Sequence, residues 1–139
     1  MYSIGHSNKP LWFFRLKLLQ NEIDLVVDVR TIPQSRYCPH FNKNALQRGL
    51  WEKHIKYLWL GKNLGGRGLN ENYDKAIGAV ANLAKSGTRI CLLCSEANPY
   101  DCHRHKMLQP SFEERGLEVI HILYDDDAKK PKLKQNRLL

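Results

Sequence analysis

Ile90-Cys91-Leu92-Leu93-Cys94-Ser95-Glu96 is an apolar run that ends abruptly in polar, reactive residues. An unbroken apolar stretch this short, set between Gly87 and a polar segment, reads as a strand over residues 89–93 buried on both faces. Cys102-His103-Arg104 follows, so eleven residues, 94–104, hold thiol, carboxylate, imidazole and guanidinium groups. Reactive side chains at the exit of a buried strand are where open α/β sheets bind ligands.

Working outward, residues 2–5, 25–29, 55–60 and 117–123 give four further strands. Between them lie helical patterns. Leu11, Trp12, Phe14, Leu16, Leu18 and Leu19 make the first helix apolar over much of its surface, which predicts deep burial. Ser7 or Asn8 is placed to cap it, with Pro10 near its first turn. Ala45, Leu46, Leu50, Trp51 and His54 fit a second helix, and Ala76, Ile77, Val80, Ala81 and Ala84 line one face of a third, which Gly87 stops. A helix starting near Asp101 or Cys102 is expected to break or kink at Pro110, and Gly116 ends it. Strands alternating with helices imply a single three-layer, Rossmann-like α/β domain over 1–123. It holds a mostly parallel five-stranded sheet with helices on both faces. Residues 124–139 read as a polar, basic tail.

At 139 residues and 42% hydrophobic content the chain suffices for one self-standing core. No apolar run approaches a membrane span, and Met1-Tyr2-Ser3-Ile4-Gly5 lacks the basic and apolar regions of a secretory signal. A cytoplasmic protein with reduced, metal-bound or catalytic cysteines is the expectation. The net charge of +8 favours polyanionic partners. Between His40 and Asn70, Lys43, Arg48, Lys53, Lys56, Lys62 and Arg67 face a single acid, Glu52, with Trp51, Tyr57 and Trp59 among them. That mixture reads either as a nucleic-acid surface or as a solvated face over core aromatics.

Parallel topology collects the strand exits on one rim: Gly5-His6-Ser7, Asp28-Val29-Arg30, Gly61 with Gly65-Gly66, and Cys94-Ser95-Glu96. Together with Pro33, Ser35, Leu60, Leu64 and Cys102-His103-Arg104, these motifs resemble, in order, the Domain of Unknown Function 488 family over residues 1–123. The resemblance implies a compact α/β domain and these site positions, without a reaction. At the level of fold the Cys94 segment is also similar to rhodanese-type sulfurtransferases and cysteine phosphatases. It departs from both in the nine residues, Pro99 included, that separate Cys94 from Arg104.

His6, Cys94 and Glu96 are the candidate catalytic groups. Ser7, Asp28, Arg30, Ser35, Gly65, Gly66, Cys102, His103 and Arg104 are the candidate substrate-binding groups. Cys94 reads either as a nucleophile activated by a nearby cation or as a small core residue. Arg104, at a helix start, reads as an anion binder or as a partner of Glu96 or Asp28. Asp28 and Arg30 share a strand face and form either an ion pair or a grip on substrate. Zinc held by Cys94, Cys102 and His6 is possible but not favoured, because Cys91 and Cys94 point to opposite faces of their strand. The preferred reading is an enzyme acting on an anionic, nucleotide or nucleic-acid-like substrate at the rim. A non-catalytic nucleic-acid-binding module and a thiol- or metal-dependent redox protein stay open as alternatives.

Overall fold

Each apolar run becomes a strand in the computed structural model, which describes residues 1–124. The strands are β1 Tyr2–Gly5, β2 Leu25–Asp28, β3 Lys56–Trp59, β4 Ile90–Cys94 and β5 Ile120–His121. They form one sheet in the order β3-β2-β4-β1-β5, and every neighbouring pair is parallel. β4 is therefore the central strand, which is why all five of its residues are buried. β5 pairs over two residues only, shorter than the apolar run that suggests it.

The helices are α1 Leu11–Gln20, α2 Lys43–Trp51, α3 Gly61–Leu64, α4 Tyr73–Lys85 and α5 Gln109–Glu113. From β1 to β3 the chain steps one way along the sheet, and from β3 to β5 it steps back. Right-handed crossovers then put the first two connections on one face and the last two on the other. The two cores follow this division. Phe14 and Leu18 of α1 and Leu46 and Leu50 of α2 meet Ile4, Val26, Cys91 and Leu93. On the opposite face Ile77, Val80 and Ala81 of α4 and Phe112 of α5 meet Val27, Ile90, Leu92 and Cys94. The alternation along β4 sends Cys91 and Cys94 to opposite faces, as the two-residue period requires.

Two local expectations are corrected and a third is refined. α1 is not deeply buried: Trp12, Leu16 and Leu19 are 64%, 40% and 44% exposed, because an outer-layer helix packs one stripe and no described residue covers its back. Ser7 and Asn8 do not cap it; Pro10 holds that position, and Ser7 sits in the left-handed region at φ 49°. The break expected at Pro110 takes the form of a change of helix type rather than a stop. A π-helical turn, Arg104–Leu108, runs directly into α5, a geometry that accommodates the N–H Pro110 lacks. Arg104, Leu108 and Phe112, four residues apart, all turn inward.

Tyr124 belongs to the compact body: it is buried and its hydroxyl donates to the Gly5 carbonyl at 2.7 Å. The rest of the expected tail, 125–139, lies outside the described residues. Among the described residues no helix is long and apolar enough to cross a membrane.

At the end of β1 the loop after β4 passes directly over Gly5. A Cβ there would meet the Glu96 carbonyl oxygen at 1.8 Å. Gly5→Ala is expected to cost at least about 2 kcal/mol, as overpacking against backbone does. Urea unfolding checks this, and an unchanged midpoint would show that the loop relaxes freely.

Candidate functional site

β2 and β4 are neighbours whose onward connections leave on opposite faces of the sheet. That divergence opens a crevice at their C-terminal ends. It is a cleft of about 900 Å³. The segment after β2 supplies Arg30, Ser35 and Arg36. The segment after β4 supplies Cys94, Glu96, Cys102 and His103. Gly66 and Arg67 complete the lining from the loop after α3.

The wall after β4 is built around Arg104, whose side chain is fully buried. Its Nε donates to Cys94 Sγ at 2.9 Å, Nη1 to Ser3 Oγ at 2.9 Å, and Nη2 to the Glu96 carbonyl at 2.6 Å. No carboxylate among the described residues pairs with it; the groups that balance it are sulfur. Cys94 Sγ and Cys102 Sγ lie 2.6 Å apart, in direct sulfur–sulfur contact, and both cysteines are free. Cys102 is held down to about 3 by its hydrogen bond to Cys94, aided by His103 and Arg104. Burial, and that same bond, push the Cys94 thiol well up. The two shifts oppose each other, so ionisation of the pair is favoured at Cys102 over Cys94. Burial alone would lower the Arg104 pKa, but the two sulfurs outweigh it and raise it.

Local geometry favours the thiolate further. Cys102 is extended, at φ −130° and ψ 151°, where the chain turns into the helix. Its carbonyl accepts from the His105 and Lys106 N–H groups, and its sulfur faces the Arg104 N–H at 3.5 Å. Free N–H groups at a helix start stabilise an anion. His103 donates from Nε2 to the Leu64 carbonyl at 3.0 Å, which turns Nδ1 toward Cys102 Sγ at 3.6 Å. The ring fits because residue 66 has no side chain: a Cβ there would sit 2.9 Å from Nδ1.

The facing wall holds a second buried arginine with a different set of partners. Arg30 donates Nε and Nη2 to the two oxygens of Asp28 at 2.9 and 2.8 Å, and Asp28 is fully buried. Tyr57 donates its hydroxyl to the same carboxylate. Burial, then Asp28, push the Tyr57 pKa far up, so it remains a donor. Arg30 Nη1 is buried and has no hydrogen-bond partner among the described residues. His6, 3% exposed and stacked on Phe41 at 4.4 Å, donates Nδ1–H to the Ser7 carbonyl. Its Nε2 is the bare acceptor and is also unpartnered. Burial holds His6 down to about 4, so it is neutral.

The sequence candidates are thus sorted. Arg30, Ser35, Gly66, Cys94, Glu96, Cys102 and His103 line the cleft; His6, Ser7, Asp28, Gly65 and Arg104 do not. Arg104 acts through sulfur and backbone carbonyls and pairs with neither Glu96's carboxylate nor Asp28. Gly65 already gives its N–H to Asn70 Oδ1 at 3.1 Å. The Glu96 side chain is exposed at the rim. Among the described residues no three His, Cys, Asp or Glu side chains gather to hold a metal ion. Of the aromatics between His40 and Asn70, Trp51 is 58% exposed, Phe41 is core, and Trp59 donates to the Arg30 carbonyl at 2.8 Å.

Sequence reading missed Ser3, Tyr57 and His121. Ser3 Oγ links Arg104 to His121 Nδ1, and His121 Nε2 meets Gln109 Oε1 at 2.8 Å. A serine inside an apolar strand was the available signal for Ser3; parallel pairing alone brings Asp28 and Tyr57 together.

Gly66→Ala is expected to displace His103 and slow Cys102 alkylation roughly ten-fold without unfolding the chain. Rate and circular dichroism on one sample check this. A second expectation concerns acid. Burial holds both His6 and His121 down to about 4, from an ordinary 6.5. Their stabilising contribution is full above 6.5 and is lost as pH falls toward 4, because the unfolded chain binds the protons first. At about 1.4 kcal/mol per pKa unit the two together cost at most about 7 kcal/mol over that range, less for the partly exposed His121, and His6→Gln should flatten the slope. Urea midpoints across pH decide it; equal slopes for both proteins would exclude the His6 contribution.

No curated protein and no solved structure matches the chain. The rhodanese and phosphatase likeness gains no support there. The model of one family does match, over residues 12–74, a span that includes Asp28, Arg30, Ser35 and Gly66 but ends before the cysteine wall. Over that segment the chain is similar to the family described as Domain of unknown function DUF488.

Proposed function

We propose that the cleft is the active site of a thiol-dependent enzyme acting on an anionic substrate. One observation carries the reading: Cys102 lines the same cleft as Arg30, whose Nη1 is buried and unpartnered among the described residues. A buried guanidinium N–H without an acceptor is costly, and an incoming carboxylate or phosphate oxygen supplies one. Asp28 and Tyr57 fix the plane of Arg30, so the free donor is preset before a ligand arrives. Arg36 and Arg67 at the rim add attraction. Cys102 is the nucleophile, His103 faces it, and Arg104 is a positioning residue that balances its charge. Glu96, exposed at the rim, is the group available for acid–base exchange with solvent.

The expected nucleotide-like substrate draws less support than a smaller anion. His103 is the sole aromatic ring among the residues lining the cleft, so a base finds little to stack on. A nucleic-acid surface is a second reading. It rests on exposed Trp51, which with Arg48 and Lys56 lines a separate groove of about 510 Å³ at the β3 edge.

Competing alkylations test the first reading. Cys102 should react faster than Cys38, Cys91 or Cys94. Relative to a free thiol it should favour iodoacetate over iodoacetamide by about ten-fold, and inorganic phosphate should protect it. Arg30→Lys keeps the charge beside Asp28 but removes the fork, and should abolish the preference. An unreactive Cys102, or no preference for the anionic reagent, would defeat the proposal.

A further inference from the structure

The function proposed above gives Cys94 no role, yet its sulfur touches that of Cys102. A strand-terminal thiol needed only for packing would not lie 2.6 Å from a second thiol on the wall of a cleft. Cys102, at 7% exposure, is the outer sulfur of the pair, and Cys94, at 3%, stands behind it. Arg104 Nε holds Cys94 from the inner side at 2.9 Å, and Arg104 N–H faces Cys102 at 3.5 Å, so one arginine positions both sulfurs. Cys91 points into the opposite core, and Cys38 lies on that same side of the sheet. Neither belongs to the pair.

We propose that Cys94 is a resolving thiol and that the substrate is an anionic disulfide, one whose sulfur-bearing halves carry carboxylates. The inference rests on reading Cys102 as the cleft's nucleophile. Cys102 S⁻ attacks one sulfur of the substrate RS–SR, forming Cys102–S–SR and releasing RS⁻. The Cys94 sulfur then attacks Cys102 Sγ, its proton passing to RS⁻, and the second RS⁻ leaves. The product is a Cys94–Cys102 disulfide. The protein dithiol loses two electrons and the substrate disulfide gains them. Run in reverse by a thiol of the same class, the exchange restores the reduced pair. Arg30 Nη1 fits a carboxylate of the R group, which is the recognition that a simple pair of adjacent thiols lacks.

The test uses the reduced full-length chain with glutathione disulfide as the probe and cystamine as its cationic counterpart, quenched in acid and read by intact mass and peptide mapping. The wild-type protein should end two hydrogens lighter, with Cys94 joined to Cys102 and the other cysteines still alkylatable. Glutathione disulfide should act about ten-fold faster than cystamine after correction for a free thiol. Cys94→Ser should stop at one glutathionyl group on Cys102; if that variant does not fold, the wild-type result decides alone. A stable mixed disulfide on wild-type Cys102 would overturn the resolving role, and equal rates for the two probes would overturn the anionic substrate. No reaction with either disulfide, while iodoacetate still labels Cys102, would defeat this inference and leave the nucleophile standing. Failure of iodoacetate labelling as well would remove the underlying reading itself.

Discussion

A guanidinium buried without a carboxylate partner is the constraint on which the rest of the site depends. Arg104 is fully enclosed, and bringing its charge out of water costs several kcal/mol unless an anion and hydrogen bonds offset it. The hydrogen bonds come from Ser3 and from the Glu96 carbonyl, which swings over β1 because Gly5 has no side chain. The anion comes from the thiol pair. The Cys94–Cys102 hydrogen bond, aided by His103 and Arg104, favours ionisation of Cys102 against its burial. The buried arginine and the ionisation of the two sulfurs are thus coupled within the core.

The cleft sets two buried arginines to opposite tasks. Arg30 has a carboxylate of its own: Asp28 occupies two of its donor edges, and Nη1 is left over. Arg104 has none and spends its donors on sulfur, hydroxyl and main chain. The first therefore keeps one donor uncommitted, and the second positions the two sulfurs. Both arginines lie near the C-terminal ends of adjacent parallel strands, and the topology makes that adjacency. Because β4 returns between β1 and β2, the thiols and Arg30 line one crevice, with Asp28 buried behind the arginine.

The helix after the cysteine loop supports the same geometry from the other core. Its opening π-turn keeps Arg104 in line with Leu108 and Phe112, all three buried against the sheet. Two buried phenylalanines, Phe112 below one face and Phe14 above the other, contribute about 1.5–3 kcal/mol each by burial. The site is consequently carried on packed elements, and the loops add only the rim arginines.

Local pattern was enough to read the class of fold and the rim. Unbroken apolar runs mark strands covered on both faces, and their alternation with helical spacing leaves few topologies other than a parallel sheet. The exits of parallel strands share an edge, so Arg30, Cys94, Cys102 and Gly66 were legible as neighbours from order alone. Roles were not. Whether Arg104 meets a ligand or a thiol, whether Gly65 offers its N–H, and whether α1 is covered all depend on which residues from distant segments arrive beside them. Asp28 finds Tyr57 twenty-nine positions away, and Arg104 finds Ser3 across 101. Such partners leave no periodic trace, since a hydrogen bond between strands depends on register and crossover rather than on spacing along the chain. The sequence determined that reactive groups gather at one edge; the tertiary structure decided which carry charge, which are spent on one another, and which remain free to bind.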